Sequence, residues 1–238
     1  MPEYKILVLT SDDYIWALRP YAWLLKKYWP DHPAVVVGGF AYPEFDLPHN
    51  FSFISLGDQR DYPINQWSDS FNKLLNKADE EVFIFMLEDM WIINHVNTTV
   101  VNMAYDYMKQ FEYVARLDLT GDRLHAGGAS FYGKIGHVDL IWSDPDSPYH
   151  MSTMPAFWRT SHLRKVLIPG ETPWELELSG TPRLASHSST VIVLGTNAWP
   201  IKNTLAFRGG DSSTLLLDEV DENDVASMRR LGLFEEIK

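Results

Sequence analysis

Residues 82–92, Val-Phe-Ile-Phe-Met-Leu-Glu-Asp-Met-Trp-Ile, run apolar for six positions and then stop at two adjacent carboxylates, Glu88 and Asp89. An unbroken apolar run of strand length reads as a strand covered on both faces, the pattern found in the middle of a parallel sheet. Ligands of open parallel sheets bind beyond the carboxyl ends of the strands, so acids at such an exit are placed for function. Neighbouring carboxylates cannot share one face of a strand. At an exit they can diverge, one toward a cation and the other toward a hydroxyl or a supporting donor. Mg2+ and Mn2+ take hard oxygen ligands of this kind together with substrate phosphates. The competing reading is a pair of solvated acids capping the next element.

Upstream of this run, strand and helix patterns alternate. Residues 5–10 (KILVLT) form a short apolar run that ends in the turn cluster Ser11-Asp12-Asp13. Residues 20–29 predict a helix with Tyr21, Leu24, Leu25 and Tyr28 on one face and Pro20 in its first turn. Residues 34–37 (AVVV) predict a buried strand closed by Gly38-Gly39, and residues 51–56 (FSFISL) a strand with one buried face. Trp67, Phe71, Leu74, Leu75 and Ala78 mark another helical stripe. This β-α-β order predicts an α/β protein with a mainly parallel central sheet and flanking helices.

Downstream the pattern is less regular. Residues 97–110 predict a helix capped by Asn97, and residues 113–117 and 138–142 predict strands. The Gly- and Asp-rich stretch 120–136 between them reads as an irregular loop or hairpin, and 143–154 as loop. Residues 161–167 and 173–178 predict short helices, 190–194 a strand, and 221–231 an amphipathic tail helix. No repeat, low-complexity tract or linker interrupts the chain, which predicts one domain.

Composition narrows the function classes. The 238 residues carry a formal charge of −12, which argues against a broad duplex-binding face built of Lys and Arg. There is no cysteine, hence no disulfide, thiol nucleophile or zinc–thiolate cluster. No run of about 18 apolar residues predicts a membrane span, and the N-terminus enters a strand-like run without the pattern of a signal peptide. The expected compartment is the cytoplasm. The nine Trp, eleven Tyr and twelve Phe serve the core first, although flat rings in an acidic chain also suit sugar binding.

A second candidate segment is GETPWELELSG, residues 170–180. Thr172, Pro173 and Glu175 have the form of a helix capping box, so Glu175 has a structural explanation. Glu177 has none of that kind. An acid near a Trp is a candidate general base, because the indole lowers local polarity and raises the carboxyl pKa. The alternative for Glu177 is an exposed helix acid. His187 follows this helix and is a candidate third metal ligand, against the usual structural role of a lone histidine. Walker A, Gly-x-Gly-x-x-Gly, His-Glu-x-x-His and Gly-x-Ser-x-Gly patterns are missing.

Taken in order, LVLTSDDY (7–14), LLKKYWPDHPAVVVGG (24–39), FSFISLGDQ (51–59), MLEDMWI (86–92), PAFWR (155–159), PGETPWELELSG (169–180) and PIKNTLAFRGG (200–210) resemble bacterial and phage glycosyltransferase-like proteins of the GT-A fold. That fold is a nucleotide-diphospho-sugar transferase architecture. The resemblance implies a nucleotide-sugar-binding half over 1–95, an acceptor and catalytic half over 96–210, and a C-terminal tail helix in 211–238. It implies that Thr10, Ser11, Asp12 and Asp13 contact base or ribose. It places Glu88-Asp89 where the family carries Asp-x-Asp, which positions Mn2+ or Mg2+ against the diphosphate; this chain departs from the pattern with Glu-Asp-Met. Residues 174–177 resemble the segment that supplies the acceptor-side base in inverting members, here Glu177 or Glu175. Lys202 or Arg208 would neutralise the leaving diphosphate.

The expected activity is therefore transfer of a sugar from a nucleotide-diphosphate donor to a hydroxyl of a saccharide or other acceptor. Two alternatives stand beside it. One is the same chemistry on a hydroxymethylated DNA base, approached by a strip of Arg159, Arg164, Lys165 and Arg183. The other is a non-catalytic nucleotide- or carbohydrate-binding module on the same fold.

Overall fold

The apolar run at 82–87 forms a strand with neighbours on both sides. In the computed structural model, which describes residues 3–125, 127–207 and 214–234, the first half runs β1 (Ile6–Leu9), α1 (Leu18–Tyr28), β2 (Val35–Gly39), β3 (Phe51–Ser55), α2 (Trp67–Ala78), β4 (Val82–Leu87), β5 (Met90–Ile92) and α3 (Thr98–Gln110). The second half continues with β6 (Val114–Asp118), α4 (Asp122–His125), β7 (Ala129–Ile135), β8 (Val138–Ser143), β9 (Ala156–Arg159), α5 (Thr160–Val166), α6 (Pro173–Ala185), β10 (Ile192–Thr196), β11 (Asn203–Leu205) and α7 (Glu222–Arg230).

Nine strands join one sheet in the order β3-β2-β1-β4-β9-β6-β10-β8-β7. β1 pairs in parallel with β2 and β4, β2 with β3, and β6 with β10. β9 is inserted antiparallel between β4 and β6, and β8 runs antiparallel to both β10 and β7. Every strand except β9 and β8 thus points the same way, the mainly parallel α/β sheet that the sequence predicts. β5 and β11 form a separate antiparallel ribbon beside the exit of β4.

Alternation along the strands divides the core between the two faces of the sheet. Ile6, Val8, Ile84 and Met86 pack with α1, α3, α7 and the β5–β11 ribbon. Leu7, Leu9, Phe83 and Phe85 pack with α2, α5 and α6. Residues of β1 and β4 that looked uniformly apolar are therefore covered twice, which is why their sequence lacks a polar face. No helix among the described residues is long and apolar enough to cross a membrane.

Of the two readings open for 120–136, irregular loop or hairpin, the described residues form the hairpin, with the turn α4 followed by β7 paired to β8. Two differences from the sequence reading matter for the site. The helix expected over 173–178 continues to Ala185 through Gly180 and Pro182. Gly180 packs so closely on Met151 that an added Cβ would lie 2.9 Å from Met151 Cγ, so tertiary contact extends this helix where local propensity would end it. β9, β5 and β11 are four residues or fewer, too short to show a period.

Candidate functional site

Because β1, β2, β3, β4, β6 and β10 share a direction, their exits line one edge of the sheet. β9 runs the other way and begins at that edge, with Ala156 opposite Phe85 and Asp118. The segments gathered there are the 10–13 loop, Glu88-Asp89, the 119–125 turn, the 144–155 loop and the 197–202 loop.

Leu9 is in register with Leu87, so the loop after β1 starts level with the acidic pair. Thr10 is buried and its N–H donates to the Gly38 carbonyl at 2.9 Å. The Asp12 carboxylate accepts from Ala41 N at 2.8 Å, and Asp12 N donates to Gln59 Oε1 at 3.2 Å. These bonds tie the loops after β1, β2 and β3 into one rim. Ser11 is half-buried and Asp13 exposed on that rim.

Glu88 and Asp89 form the turn between β4 and β5. Burial, then the charge of Glu88, raises the pKa of the Tyr21 phenol on α1. The Glu88 carbonyl accepts from Trp91 Nε1 at 3.1 Å. Burial, reinforced by the charge of Asp89, pushes the Glu88 carboxyl well above the usual range. Burial pushes Asp89 up to about 7. Asp89 Oδ1 is buried and has no hydrogen-bond partner among the described residues. A carboxylate oxygen withdrawn from water and left unbonded suits a hard cation. No group of three or more His, Asp or Glu lies together among the described residues, so the chain supplies this pair and a cation would take its other ligands from phosphate and water.

Glu177 and Glu175, two residues apart, have different surroundings. Thr172 Oγ1 accepts from Glu175 N at 3.1 Å while Glu175 Oε2 accepts from Thr172 N at 2.9 Å, a complete capping box. The bond from Thr172 N lowers the Glu175 pKa. Glu175 is thus a helix cap. Glu177 instead reaches the 144–155 loop, where Oε1 accepts from Thr153 N at 2.7 Å and Thr153 Oγ1 at 2.8 Å. No donor among the described residues is bonded to its Oε2. The same helix turn is clamped by Thr181, whose Oγ1 accepts from Met151 N at 3.2 Å and donates to the Glu177 carbonyl at 2.8 Å.

Behind this loop lies a buried polar cluster that the sequence reading missed. Arg116 and Asp118, both fully buried on β6, form an ion pair. Burial pushes Asp118 up to about 6 against the opposing pull of Arg116. Arg123 of α4 donates to Ser143 Oγ and the Tyr149 carbonyl at 3.0 Å and to the Pro148 carbonyl at 2.9 Å. Ser143 Oγ also lies 2.8 Å from His150 Nδ1. Burial, then Arg116 and Arg123, push His150 down to about 4. The signal available in the sequence was an acid, Asp118, closing a short strand, but Arg116 within that strand breaks the apolar run that singled out Glu88-Asp89.

Other candidate residues stand apart from Asp89 or outside the described residues. His187 precedes β10, at the level of Tyr113 where β6 begins, and its charge is felt by His162. It therefore sits at the opposite end of the sheet from Asp89 and cannot complete a metal site there. The Asp89 carbonyl accepts from Ala206 N at 2.8 Å, whereas the Lys202 carbonyl accepts from Ile93 N beyond the far end of β5. Four residues of extended chain, roughly 13 Å, separate Lys202 from the level of Asp89. Arg208 lies outside the described residues. The basic strip is not assembled: Arg159 is buried and paired with Glu81, and Arg183 is paired with Glu171. Arg159 also ends β9 opposite Val82, at the edge where β4 starts.

A cleft of about 440 Å3 is lined by Met154, the three residues of β11, Leu216 and the acids Asp218 and Glu219. One wall adjoins Asp89 through Ala206; the other, Met154, follows the Thr153 that holds Glu177. The Asn203 Nδ2 in its lining is buried without a partner.

An α/β sheet with this strand order and an acidic turn at the β4 exit defines a GT-A-like fold, and solved structures agree. S. aureus TarS superposes with a TM-score of 0.52 at 15% identity over 82% of this chain and 35% of that one. The 1–349 portion of TarS gives 0.52 at 16% identity, covering 82% and 60%. A UDP-glucose pyrophosphorylase complexed with UDP-glucose gives 0.50 at 10% identity, covering 95% and 99%. The chain thus spans about a third of TarS. At these identities the likeness establishes the fold. No protein-family model matches the sequence, and no curated protein does.

Proposed function

We propose that this protein is a nucleotide-sugar-dependent glycosyltransferase that moves a sugar from a nucleoside-diphosphate donor to an acceptor hydroxyl with inversion. The observation that carries the reading is the acidic turn at the β4 exit, with its buried, unbonded Asp89 oxygen, level with the loop after β1.

Each residue then has a task. The 10–13 loop, level with Glu88, receives the base and ribose at the rim. Asp89, with Glu88 next to it, would hold a Mn2+ or Mg2+ ion, which when bound would offset charge on the departing diphosphate. Thr153 fixes one oxygen of Glu177, so the other faces a single direction. Glu177 takes the acceptor proton as the acceptor oxygen forms its bond to the anomeric carbon and the bond to the diphosphate oxygen breaks. Closure of the cleft around the donor excludes water, which would otherwise compete as acceptor. The acidic lining disfavours a nucleic-acid acceptor, and the reaction is assigned to the cytoplasm.

The test is a thermal-shift panel of nucleoside diphosphates and nucleotide sugars, with and without Mn2+. UDP and UDP-sugars come first, because the pyrophosphorylase of similar fold was solved with UDP-glucose. One nucleotide is expected to stabilise the protein by about 2.7 kcal/mol at a hundredfold excess over its Kd, in a metal-dependent way that Asp89→Asn abolishes. Absence of any shift would overturn the proposal. A shift without slow donor hydrolysis or transfer would convert it to a binding module.

A further inference from the structure

The 197–202 loop, at the exit of β10, holds Trp199 in a conformation that the residue alone would not choose. Its φ is +42°, in the left-handed region that bulky residues rarely adopt. The loop around it is pinned on every side. Asn197 Oδ1 accepts from Asp139 N and Asn197 Nδ2 donates to Asp139 Oδ2, both at 3.1 Å. The Pro200 carbonyl accepts from Asn97 N, and Ile201 N donates to the Leu119 carbonyl, both at 2.9 Å.

The indole lies flat on bare backbone. A Cβ at Gly121 would fall 1.9 Å from Trp199 Cε2 and 2.3 Å from Nε1, so only glycine admits the ring there. His125 meets it at 5.4 Å between centroids and 73° between planes. Even so, Trp199 remains 41% exposed. An indole that served the core would be covered. This one is seated on one face by Gly121, held by a rigid loop, and left open to solvent.

α4 joins this ring to the reaction edge. His125 touches Trp199, while Arg123 on the same turn pins the carbonyls of Pro148 and Tyr149 in the loop that leads to Thr153 and Glu177. Tyr149 is likewise an exposed aromatic in the left-handed region, with φ +52°. We propose that Trp199, seated over Gly121 beside His125, is the stacking platform of an acceptor site for an uncharged pyranosyl unit. A pyranose offers an apolar C–H face rimmed by hydroxyls, and the site offers a fixed aromatic face with His125 at its edge and Asp122 next to Gly121 in the chain. Asp122 beside Gly121 and Asp139 bonded to Asn197 disfavour an anionic unit at this ring. The assignment rests on the transferase reading only for the word acceptor; the platform itself stands on Trp199, Gly121 and the loop.

Saturation-transfer-difference NMR with methyl β-glucoside, methyl β-galactoside and their N-acetylamino counterparts tests it on the intact chain. At least one glycoside is expected to receive saturation on one ring face. Trp199→Ala should cut that signal at least about fivefold, and Gly121→Ala, which drives the ring off its seat, should do the same. Phe131→Ala, removing another exposed aromatic, should leave it unchanged. Thermal unfolding of each variant confirms that the fold is retained, and the two substitutions on opposite sides of the contact guard against one failing to fold. Silence from every glycoside, or an undiminished signal in Trp199→Ala, overturns the platform. Calorimetric titration of the same samples with UDP and Mn2+ keeps the two ideas apart. Nucleotide binding without glycoside contact sinks the platform alone; glycoside contact without nucleotide binding sinks the transferase reading alone.

Discussion

Glu175 and Glu177 differ in what their oxygens already hold. Glu175 spends an oxygen on its own helix N-terminus, while Glu177 is oriented by Thr153 and keeps Oε2 open. Glu177→Gln should therefore lower kcat by about 100- to 10,000-fold, with nucleotide affinity unchanged. Glu175→Gln should leave turnover within about twofold and lower the melting temperature slightly. Steady-state kinetics beside nucleotide titration checks both. His150 supplies the pH dependence. Its folded-state value of about 4 lies below the ordinary 6.5, so the unfolded chain takes up the proton first on acidification. Its contribution is fully present above pH 6.5 and is lost as pH falls toward 4, a loss of about 3 kcal/mol. Asp118, raised to about 6, acts in the opposite sense between 3.8 and 6. Comparing urea unfolding of wild type and His150→Asn across pH 4–7 isolates the histidine. Wild type should lose more stability than the variant toward pH 4, and equal loss in the two would contradict the assignment.

Among the elements, β10 and α4 show how closely the second half of the sheet is packed. A Cβ on Gly195 would stand 2.9 Å from Arg123 Cβ and 3.3 Å from Asp118 Cβ, two atoms fixed to backbone and unable to swing away. Gly195→Ala is expected to cost about 1–3 kcal/mol through this overpacking, read as a lower urea midpoint at unchanged m-value. Helix limits set by caps were legible in the sequence: Asn97 accepts from Val100 N at 3.2 Å, and Thr172 heads α6. The far end of α6 was not, because its continuation through Gly180 depends on Met151, a residue distant in sequence.

Over the whole molecule, the last helix is tied to the first. Asp224 of α7 is buried and accepts from Tyr28 OH at 2.5 Å, and it also pairs with Lys27 of α1. Asp224→Ala leaves the tyrosine hydroxyl without its acceptor and should cost about 2 kcal/mol. Hydrogen exchange should show α7 opening before the sheet, and uniform exchange across both would refute the tie. The sequence alone determined the α/β class, the order of most elements and the acids at the β4 exit. Those features follow from hydrophobic period, caps and turn residues, which act within a few positions of the chain. Only the tertiary structure decided that β9 enters antiparallel between β4 and β6, that Glu177 meets Thr153, and that Arg116, Asp118, Arg123 and His150 share a buried cluster. It also placed His187 at the opposite end of the sheet from Asp89. Each of these depends on contacts between residues far apart in the chain, formed when the apolar faces of separate elements bury against one sheet, and such contacts leave no local pattern to read.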